Sequence, residues 1–559
     1  MLKILDDDYY DLIVNNVTVS SYGSDDVTLL NSLHSLKHVL KYEKDTCGLE
    51  QSPYETLPAL FTLTSSLSME KSGIEAVQNN PDFLLFGQGV IIGIIDTGID
   101  YQHSAFIKND RTTRILSIWD QTIQEGLPPS GFTFGTEYNR ILINNALISR
   151  DPASIVPSMD TNGHGTAIAS IIAGNPDSDH SFSGIVPQSE LVVVKLKEAK
   201  HNLKNIFFAP PDSLCFQESD IMLGVRYLIT TAQKLNRPLV ICIALGSSHG
   251  GHDGYGSLST YLDSISRFPG VGISVSAGNE GGNNRHYYNN TIYEPFYNNF
   301  ALNIGISDRR FSMEIWPYAP QRFSIEITTP TRETTQIVYP SLKECQGFIL
   351  GSSQSYIWVN NISFESSTGD PVILIRFENP LPGIWNLLVR NDEKEPFSFH
   401  SWLPSGNLIS DETFFLKGDP NTTITTPGNT MSVLTVTAYN QYNDTILVES
   451  GRGYTRSGLI KPDIAAPGYQ LPCAIPKDQY GTLTGTGAAA AHTAGVIAMI
   501  LEWAYGKGNF TAVTGVQINR MIIREAQRNS LYIYPNNIWG YGQVNIYNIL
   551  NKLSGIKRT

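Results

Sequence analysis

The segment from Gly481 to Gly495 constrains the fold more than any other part of the sequence. A short Thr-rich strand meets a Gly-Thr-Gly turn there, and an Ala-rich helix, predicted from Ala488 to about Trp503, follows directly. Position 487 therefore lies at a helix N-terminus, where free N–H groups and the helix dipole stabilise developing negative charge. Such a position suits an acyl-transfer nucleophile, but Gly487 has no side chain.

Length and composition indicate a globular protein with more than one domain. The 559 residues suffice for two or three domains, and 41% hydrophobic and 16% charged residues, with 47 Gly and 30 Pro, suit a loop-rich α/β protein. The net charge of −13 argues against nucleic acid or an anionic membrane as the main partner.

Targeting and redox features point to a protein kept inside a cell, or inside a particle that the cell builds. The N-terminus turns acidic at Asp6 without an apolar segment, so we expect no signal peptide. No uninterrupted apolar run of about 18 residues occurs, so we expect no membrane span. The five cysteines are odd in number and lack metal-ligand spacing, which predicts free thiols: Cys47, Cys215, Cys242, Cys345 and Cys473.

Residues 1–66 are predicted to form a separate small αβ unit. Apolar segments begin at Tyr9, Val17 and Ser35, and the stretch from Pro53 to Ser66 is rich in Ser, Thr and Pro. That composition is typical of a linker. On these features alone, the unit is a small capping domain.

Residues 67–299 alternate apolar strands and helices, which predicts a parallel sheet covered by helices. Val90 to Ile95 is a continuous apolar run, typical of a buried parallel strand. Asp96 follows at its carboxyl end, where open α/β sheets place functional groups, although a turn former before Gly98 fits equally well. A second buried strand, from Gly272, ends at Asn279 among glycines.

His164 has a glycine on either side and opens an Ala- and Ile-rich helix. A lone histidine is usually structural. This one enters a helix after tight backbone turns and follows Asp96 in the chain, so we predict that it is a general base.

Residues 300–425 differ from their surroundings. Short alternating segments are separated by Pro, Gly and Asn turns, with almost no helical period, which predicts an all-β sandwich inserted into the α/β chain. Its aromatic residues would permit a carbohydrate-binding surface, although aromatic residues are more often core: Tyr356, Trp358, Trp385 and Trp402. The α/β pattern returns over residues 426–559.

Asp96, His164, Asn279 and position 487, in this order, are the set needed for peptide-bond hydrolysis. An Asp orients the His and stabilises its charged form, and the His takes a proton from a hydroxyl nucleophile. The Asn279 amide and the backbone N–H of residue 487 would bind the oxyanion.

These positions resemble the motifs of the subtilisin-like serine protease family. The matching segments are Asp96-Thr-Gly-Ile-Asp100, Asn162-Gly-His164-Gly-Thr166, Ala277-Gly-Asn279-Glu280, Lys461-Pro-Asp-Ile-Ala-Ala-Pro-Gly468, and Gly485-Thr-Gly487 with the helix after it. The resemblance covers about residues 70–300 and 426–550. It implies that residues 1–66 correspond to a prodomain, normally self-cleaved, and that Ala244, Leu245 and Gly246 line the substrate cleft.

Finer features resemble the clostridial germination-specific Csp group. These are Thr113 to Thr122, the alanines after Gly487, the missing signal peptide and the inserted β domain. The resemblance implies packaging in the spore and a jelly-roll insert. It implies protein partners, either a sibling Csp protease or the precursor of a cortex-degrading hydrolase, and admits a small-molecule germinant. Active members cut that precursor, and others are pseudoproteases that regulate germination.

The departure from the family pattern is at Gly487, where the motif has serine. Without a hydroxyl, His164 has nothing to activate, so the chain is expected to be inactive and to keep residues 1–66 attached. Glycine at a helix start costs only a few tenths of a kcal/mol, so the fold should survive. The alternative is a Csp endopeptidase in which Gly487 is an inactivating substitution or another hydroxyl serves.

No metal or cofactor is expected. His249 and His252 lie in a glycine-rich loop, Ser247 to Asp253. That setting favours a wall of the cleft over a set of metal ligands.

Overall fold

The N-terminal region up to residue 63, here called the leader, forms a small antiparallel sheet and one separate strand. The computed structural model describes residues 2–19, 27–41, 52–63, 72–342, 344–351 and 354–553, so the predicted boundary at residue 66 lies outside the described residues. The leader elements are β1 (Tyr9–Asn15), α1 (Asn16–Val19), β2 (Val27–Leu29), β3 (His34–Leu40) and β4 (Leu60–Leu63).

The core, as used here, consists of two regions that alternate strands and helices, one before and one after the insert of residues 286–415. The first of these regions follows the leader. Its elements are α2 (Ile74–Gln78), β5 (Ile91–Asp96), β6 (Ile115–Asp120), β7 (Thr136–Asn139), α3 (Arg140–Ile148), α4 (His164–Ala173), β8 (Glu190–Lys195), α5 (His201–Ile206), β9 (Phe216–Gln217), α6 (Glu218–Leu235), β10 (Leu239–Ile243), β11 (Leu245–Gly246), α7 (Ser257–Ile265) and β12 (Val271–Ser276).

The insert contains only strands as regular elements among its described residues, apart from one 3-10 turn. They are β13 (His286–Thr291), β14 (Tyr297–Ile304), β15 (Arg310–Pro317), β16 (Phe323–Thr328), β17 (Cys345–Leu350), β18 (Ser355–Ile362), β19 (Val372–Glu378), β20 (Gly383–Asn391), β21 (Phe397–Trp402) and β22 (Phe414–Phe415).

The core resumes after the insert and ends in helices. Its remaining elements are β23 (Leu434–Asn440), β24 (Thr445–Ile446), β25 (Ile464–Pro467), β26 (Leu471–Ile475), β27 (Gln479–Leu483), α8 (Thr486–Leu501), α9 (Gly515–Arg524) and α10 (Ile546–Leu553).

A central, mostly parallel sheet organises the core and confirms the predicted α/β fold. In the described residues its order is β24-β23-β12-β10-β5-β8-β6-β7, with β25 paired to β23. The edge pairs β6–β7 and β23–β24 are antiparallel. Strands β5, β10 and β12 are buried throughout, because helices cover both faces. Their carboxyl ends meet at one edge of the sheet, where Asp96 and Asn279 lie.

Helix α8 is the central helix of one face. Every residue from Thr486 to Leu501 is buried, and it packs on β12, β23 and α4. With its extension to Gly506, the helix is long and apolar enough to cross a membrane, but 94% of its apolar 18-residue segment is buried inside the protein. Its apolar character is therefore explained by its place in the core.

The insert is a sandwich of two antiparallel sheets, β13-β21-β15-β19-β18-β17 and β16-β20-β14-β22, which enclose one apolar cluster. Its first strand starts at His286, before the predicted boundary at residue 300. Jelly-roll connectivity stays a prediction. Trp385 and Trp402 are buried, so they cannot form a carbohydrate-binding surface, whereas Tyr356 and Trp358 are half-buried and stacked.

The prediction of a linker from Pro53 to Ser66 is wrong for its described part. Strand β4 lies between two strands of the core: Leu60 and Phe61 pair with β9, and Thr62 and Leu63 pair with β11. Both pairings are antiparallel, and Leu60 and Phe61 are fully buried. Sequence composition missed this strand because the hydrogen bonds that define it come from distant segments.

A buried ion pair fixes the leader sheet to the core. Lys200 Nζ lies 2.9 Å from Asp11 Oδ2 and donates to the carbonyl oxygens of Lys3 and Tyr9 at 2.8 and 3.1 Å. The His38 ring bonds the other Asp11 oxygen at 2.7 Å. Burial raises the pKa of Asp11, but the His38 hydrogen bond and the Lys200 charge outweigh it, so the pKa lies below its usual value.

Replacing Lys200 with methionine should loosen the leader. The change leaves the buried Asp11 carboxylate without its main countercharge, and breaking a buried pair on one side costs about 3–5 kcal/mol. Hydrogen exchange of the Tyr9–Asn15 amides should become much faster, while Lys234→Met, at an exposed position, should leave it unchanged. Equal exchange in the two variants would show that the pair does not hold the leader.

The prediction of five free thiols is wrong for Cys345, which is disulfide-bonded. Cys215, Cys242 and Cys473 are free and buried, and burial raises their pKa values. Cys47 lies outside the described residues.

Candidate functional site

Asp96 and His164 form a buried hydrogen-bonded pair. Asp96 ends β5 and His164 is the first residue of α4, and Asp96 Oδ1 lies 2.7 Å from His164 Nδ1. Asp96 Oδ1 also accepts the Thr97 backbone N–H at 2.7 Å. A carboxylate on Nδ1 sets the tautomer that leaves Nε2 as the proton acceptor, which is the arrangement a general base needs.

Glycines allow His164 to come this close to Asp96. Gly163 has φ 91°, a left-handed conformation that favours glycine, and it turns the chain into α4. A Cβ at Gly165 would lie 2.2 Å from the Gly98 carbonyl oxygen, so only glycine lets α4 start against the loop that follows Asp96. The two glycines noted in the sequence are therefore required by the backbone.

A second carboxylate, Asp160, holds the start of α4. Its Oδ1 accepts from Thr97 Oγ1 at 2.9 Å and the Gly163 N–H at 2.8 Å, and its Oδ2 accepts from the Thr166 N–H and Oγ1 at 2.9 and 2.7 Å. Asp160 thus links the loop after Asp96 to the helix that carries His164. Nothing in the sequence pattern distinguishes Asp160, although it lies in the same segment as His164.

Asp160→Ala should destabilise the protein strongly. It would strip four buried or half-buried donors of their acceptor at once, and we expect a loss of about 3–5 kcal/mol. The midpoint of thermal unfolding should fall clearly below that of Asp151→Ala, a nearby exposed aspartate. A matching shift in the two variants would contradict the structural role given to Asp160.

Asn279 lies beside the start of α8, as an oxyanion-binding amide requires. Its Oδ1 accepts from the Thr486 N–H at 3.1 Å and from Thr486 Oγ1 at 3.0 Å. Thr486 Oγ1 in turn accepts the Gly278 N–H at 3.1 Å. These contacts fix the amide with Oδ1 toward Thr486, and within the described part of the chain Nδ2 has no hydrogen-bond partner.

Gly487 is the second residue of α8, which confirms the predicted helix start to within two residues. The helix is buried from its first turn, and it packs on α4, the helix that His164 opens. A serine at this position would have its N–H and side chain at the positive end of the helix dipole. Gly487 therefore lies at the positive end of the helix dipole and has no side chain of its own.

Leu245 and Gly246 form β11 and hold the leader strand, with Leu245 opposite Leu63 and Gly246 opposite Thr62. Ala244 precedes them and is buried. The segment predicted to line a cleft is thus a strand edge that pairs with an extended peptide, and here that peptide is part of the chain itself. Backbone pairing of this kind is a general mode of peptide recognition.

His249 and His252 are buried, and burial lowers their pKa values to about 3 and about 4. His249 stacks on Phe207 and His252 stacks on Trp402 of the insert. Among the described residues, no group of three or more His, Cys, Asp or Glu side chains is placed to hold a metal ion.

Three kinds of comparison agree on the family. The model of the subtilase family (Peptidase S8) matches residues 87–355 and 378–542. Two similar curated proteins are the subtilisin-like protease SBT3 of Solanum lycopersicum, 24% identical over 74% of this chain and 55% of that protein, and a C5a peptidase of Streptococcus pyogenes, 21% identical over 74% of this chain and 34% of that protein. The chain thus spans about a third to a half of their length.

Among solved structures, the Clostridium perfringens CspB protease is similar over almost its whole length. The TM-score is 0.76 at 28% sequence identity, covering 86% of this chain and 96% of that one. The match therefore includes more than the parallel sheet. Together with the Asp96–His164 pair, the position of Asn279 and the family model, these comparisons show that the chain belongs to the subtilase family and resembles its Csp group.

Proposed function

We propose that this chain is a Csp-like pseudoprotease that regulates spore germination by binding rather than by peptide hydrolysis. The observation that carries the proposal is Gly487: the second residue of α8 lacks the hydroxyl that the Asp96–His164 pair would activate. The proposed location is the spore. The proposed partners are a sibling Csp protease, the precursor of a cortex-degrading hydrolase, or a small-molecule germinant.

Neighbouring hydroxyls do not replace the missing one. Thr486 Oγ1 is held between Asn279 and the Gly278 N–H, on the oxyanion side of the helix start. Ser457 Oγ donates to the Asp253 carbonyl oxygen at 3.0 Å. In a subtilisin, loss of the nucleophile alone lowers turnover about 10⁶-fold, which is about 8 kcal/mol of barrier.

The leader supports a binding role. Strand β4 occupies the β11 edge, where a peptide substrate would pair, and Phe61 and Leu60 are fully buried there. Self-cleavage would need the hydroxyl that position 487 lacks, so the leader stays covalently attached. A partner would therefore bind to a surface other than this cleft.

Co-elution with purified partners tests the proposal. The full chain is mixed with a sibling Csp protease or with a cortex-hydrolase precursor and passed over a size-exclusion column, and the precursor is then examined by mass spectrometry. We expect a complex with at least one of them and an uncut precursor. An uncut precursor without any complex would remove the support for regulation by binding to these proteins.

A second candidate is a Csp endopeptidase in which Gly487 is an inactivating substitution or another hydroxyl serves. The intact Asp96–His164 pair and the oriented Asn279 amide favour it, because an abandoned site has no need of them. Incubation of the unmodified chain with the precursor tests whether another hydroxyl serves. Cleavage that disappears in a His164→Ala variant would support the endopeptidase and contradict the pseudoprotease.

A further inference from the structure

A cavity of about 80 Å³ lies where the leader, the core and the insert meet. Tyr54 and Leu57 of the leader form one side, and Trp316 of the insert and the His249 loop of the core form others. Neither Asp96, His164 nor Gly487 lines it. Whatever binds there would touch all three parts of the protein without touching the hydrolytic site.

The cavity is strongly acidic. Four carboxylates line it, and no Lys or Arg does among the described residues: Glu55, Glu218, Asp253 and Glu365. Arg456 reaches only one of them, with Nη1 at 3.3 Å from Asp253 Oδ2. Burial raises the pKa values of Glu218 and Asp253, and it outweighs the backbone hydrogen bonds that Glu218 accepts and the Arg456 charge beside Asp253.

His249 contributes an unpartnered buried nitrogen to this cavity. The side chain lies flat on Phe207, with ring centroids 4.3 Å apart, and the residue is only 7% exposed. The Leu60 backbone N–H points at Nδ1 at 3.4 Å, so the ring proton belongs on Nε2. Nε2 has no hydrogen-bond partner among the described residues, and a buried N–H without an acceptor is costly.

We propose that the cavity binds a small organic cation. Its ammonium group would lie against the carboxylates, and a hydroxyl or carbonyl oxygen of the same molecule would accept a hydrogen bond from His249 Nε2. The volume suits a ligand of a few heavy atoms, because an apolar cavity of roughly 150 Å³ admits benzene. A neutral ligand of the same size would leave the acidic wall without a countercharge.

The position of the cavity implies a consequence for the leader. Tyr54, Leu57 and Ala59 line it, and strand β4 begins at the next residue, Leu60. A ligand held between these residues and the insert would keep β4 against β11. The inference goes beyond the proposed function and does not depend on it, since an active or an inactive site at residue 487 leaves the cavity unchanged.

Calorimetric titration of the full chain tests the proposal, with ethanolamine as the ligand and ethylene glycol as its neutral counterpart. We expect saturable binding of ethanolamine that is at least about 10-fold tighter than that of ethylene glycol. Glu55→Gln and His249→Phe should each weaken ethanolamine binding about 10-fold, the second while keeping the stack on Phe207. Glu75→Gln, on an exposed part of α2, is the matched control.

Hydrogen exchange gives a second measurement on the unmodified chain. Ethanolamine should slow the exchange of the Leu60–Leu63 amides, and ethylene glycol should not. Equal binding of the two compounds, or binding of neither, would overturn the proposal. So would ethanolamine binding that is the same in Glu55→Gln and Glu75→Gln. If His249→Phe does not fold, the comparison of Glu55→Gln with Glu75→Gln and the exchange measurement still test the proposal.

Discussion

A Gly487→Ser variant should cleave its own chain near residues 60–70. The substitution adds a hydroxyl at the start of α8, beside Asn279 and on a helix that packs against the one carrying His164. Strand β4 already pairs with β11, so the chain's own leader is the nearest peptide. The gain should approach the roughly 10⁶-fold that the nucleophile supplies in a subtilisin. Mass spectrometry of the purified variant would detect the two fragments.

Two controls separate a restored site from contamination. Gly487→Ala changes the helix start without adding a hydroxyl, and it should stay uncut. Gly487→Ser combined with His164→Ala should also stay uncut, since the hydroxyl then lacks its base. A folded Gly487→Ser protein that shows no cleavage would mean that the remaining groups are not positioned for catalysis.

The protein should lose stability between pH 6.5 and pH 4, because of histidines buried within the insert and between the insert and the core. His252 stacks on Trp402 with centroids 4.0 Å apart, and His286 Nε2 lies 2.8 Å from His400 Nδ1. Burial lowers the pKa values of His252 and His286 to about 4. Burial and the nearby His286 and Arg456 charges lower that of His400 to about 2.

The sign of this effect follows from proton binding. In the unfolded chain these histidines bind protons below about pH 6.5, whereas in the folded protein they stay neutral to about pH 4 or lower. Stability is therefore complete above pH 6.5 and falls as the pH drops, by about 2 kcal/mol per histidine at pH 5. Three such groups cost as much as the whole stability of many domains.

Buried acids act in the opposite direction. Asp220, whose pKa burial raises to about 6, favours the folded state as the pH falls through that value. The comparison of variants isolates the histidine contribution. The unfolding midpoint of His400→Gln should depend less on pH between 7 and 5 than that of the unmodified chain. His201→Gln, at an exposed position, should not change the slope, and identical slopes in all three proteins would contradict the assignment.

Sequence patterns predicted the α/β fold because its signals are local. The apolar run before Asp96 is a fully buried central strand, because a strand covered by helices on both faces carries apolar side chains on both. The glycines around His164 and the Gly-Thr-Gly sequence at the start of α8 marked two helix starts, because each start needs backbone conformations or close approaches that glycine provides.

Other features depend on contacts between distant segments. Leu60 to Leu63 has the composition of a linker, yet it is a strand because β9 and β11 supply its hydrogen bonds. Asp160 is one of many aspartates until Thr97 and Thr166 are seen to converge on it. The acidic cavity and the buried histidines each combine residues from the core and the insert, and neither pattern is visible along the chain.

The most direct test of the central claim is the intact mass of the unmodified, full-length chain after purification and long incubation, with a His164→Ala variant treated in parallel. Both proteins should remain single, uncut chains of 559 residues. Cleavage of the unmodified chain that is absent from the His164→Ala variant would show a working nucleophile and would contradict that claim.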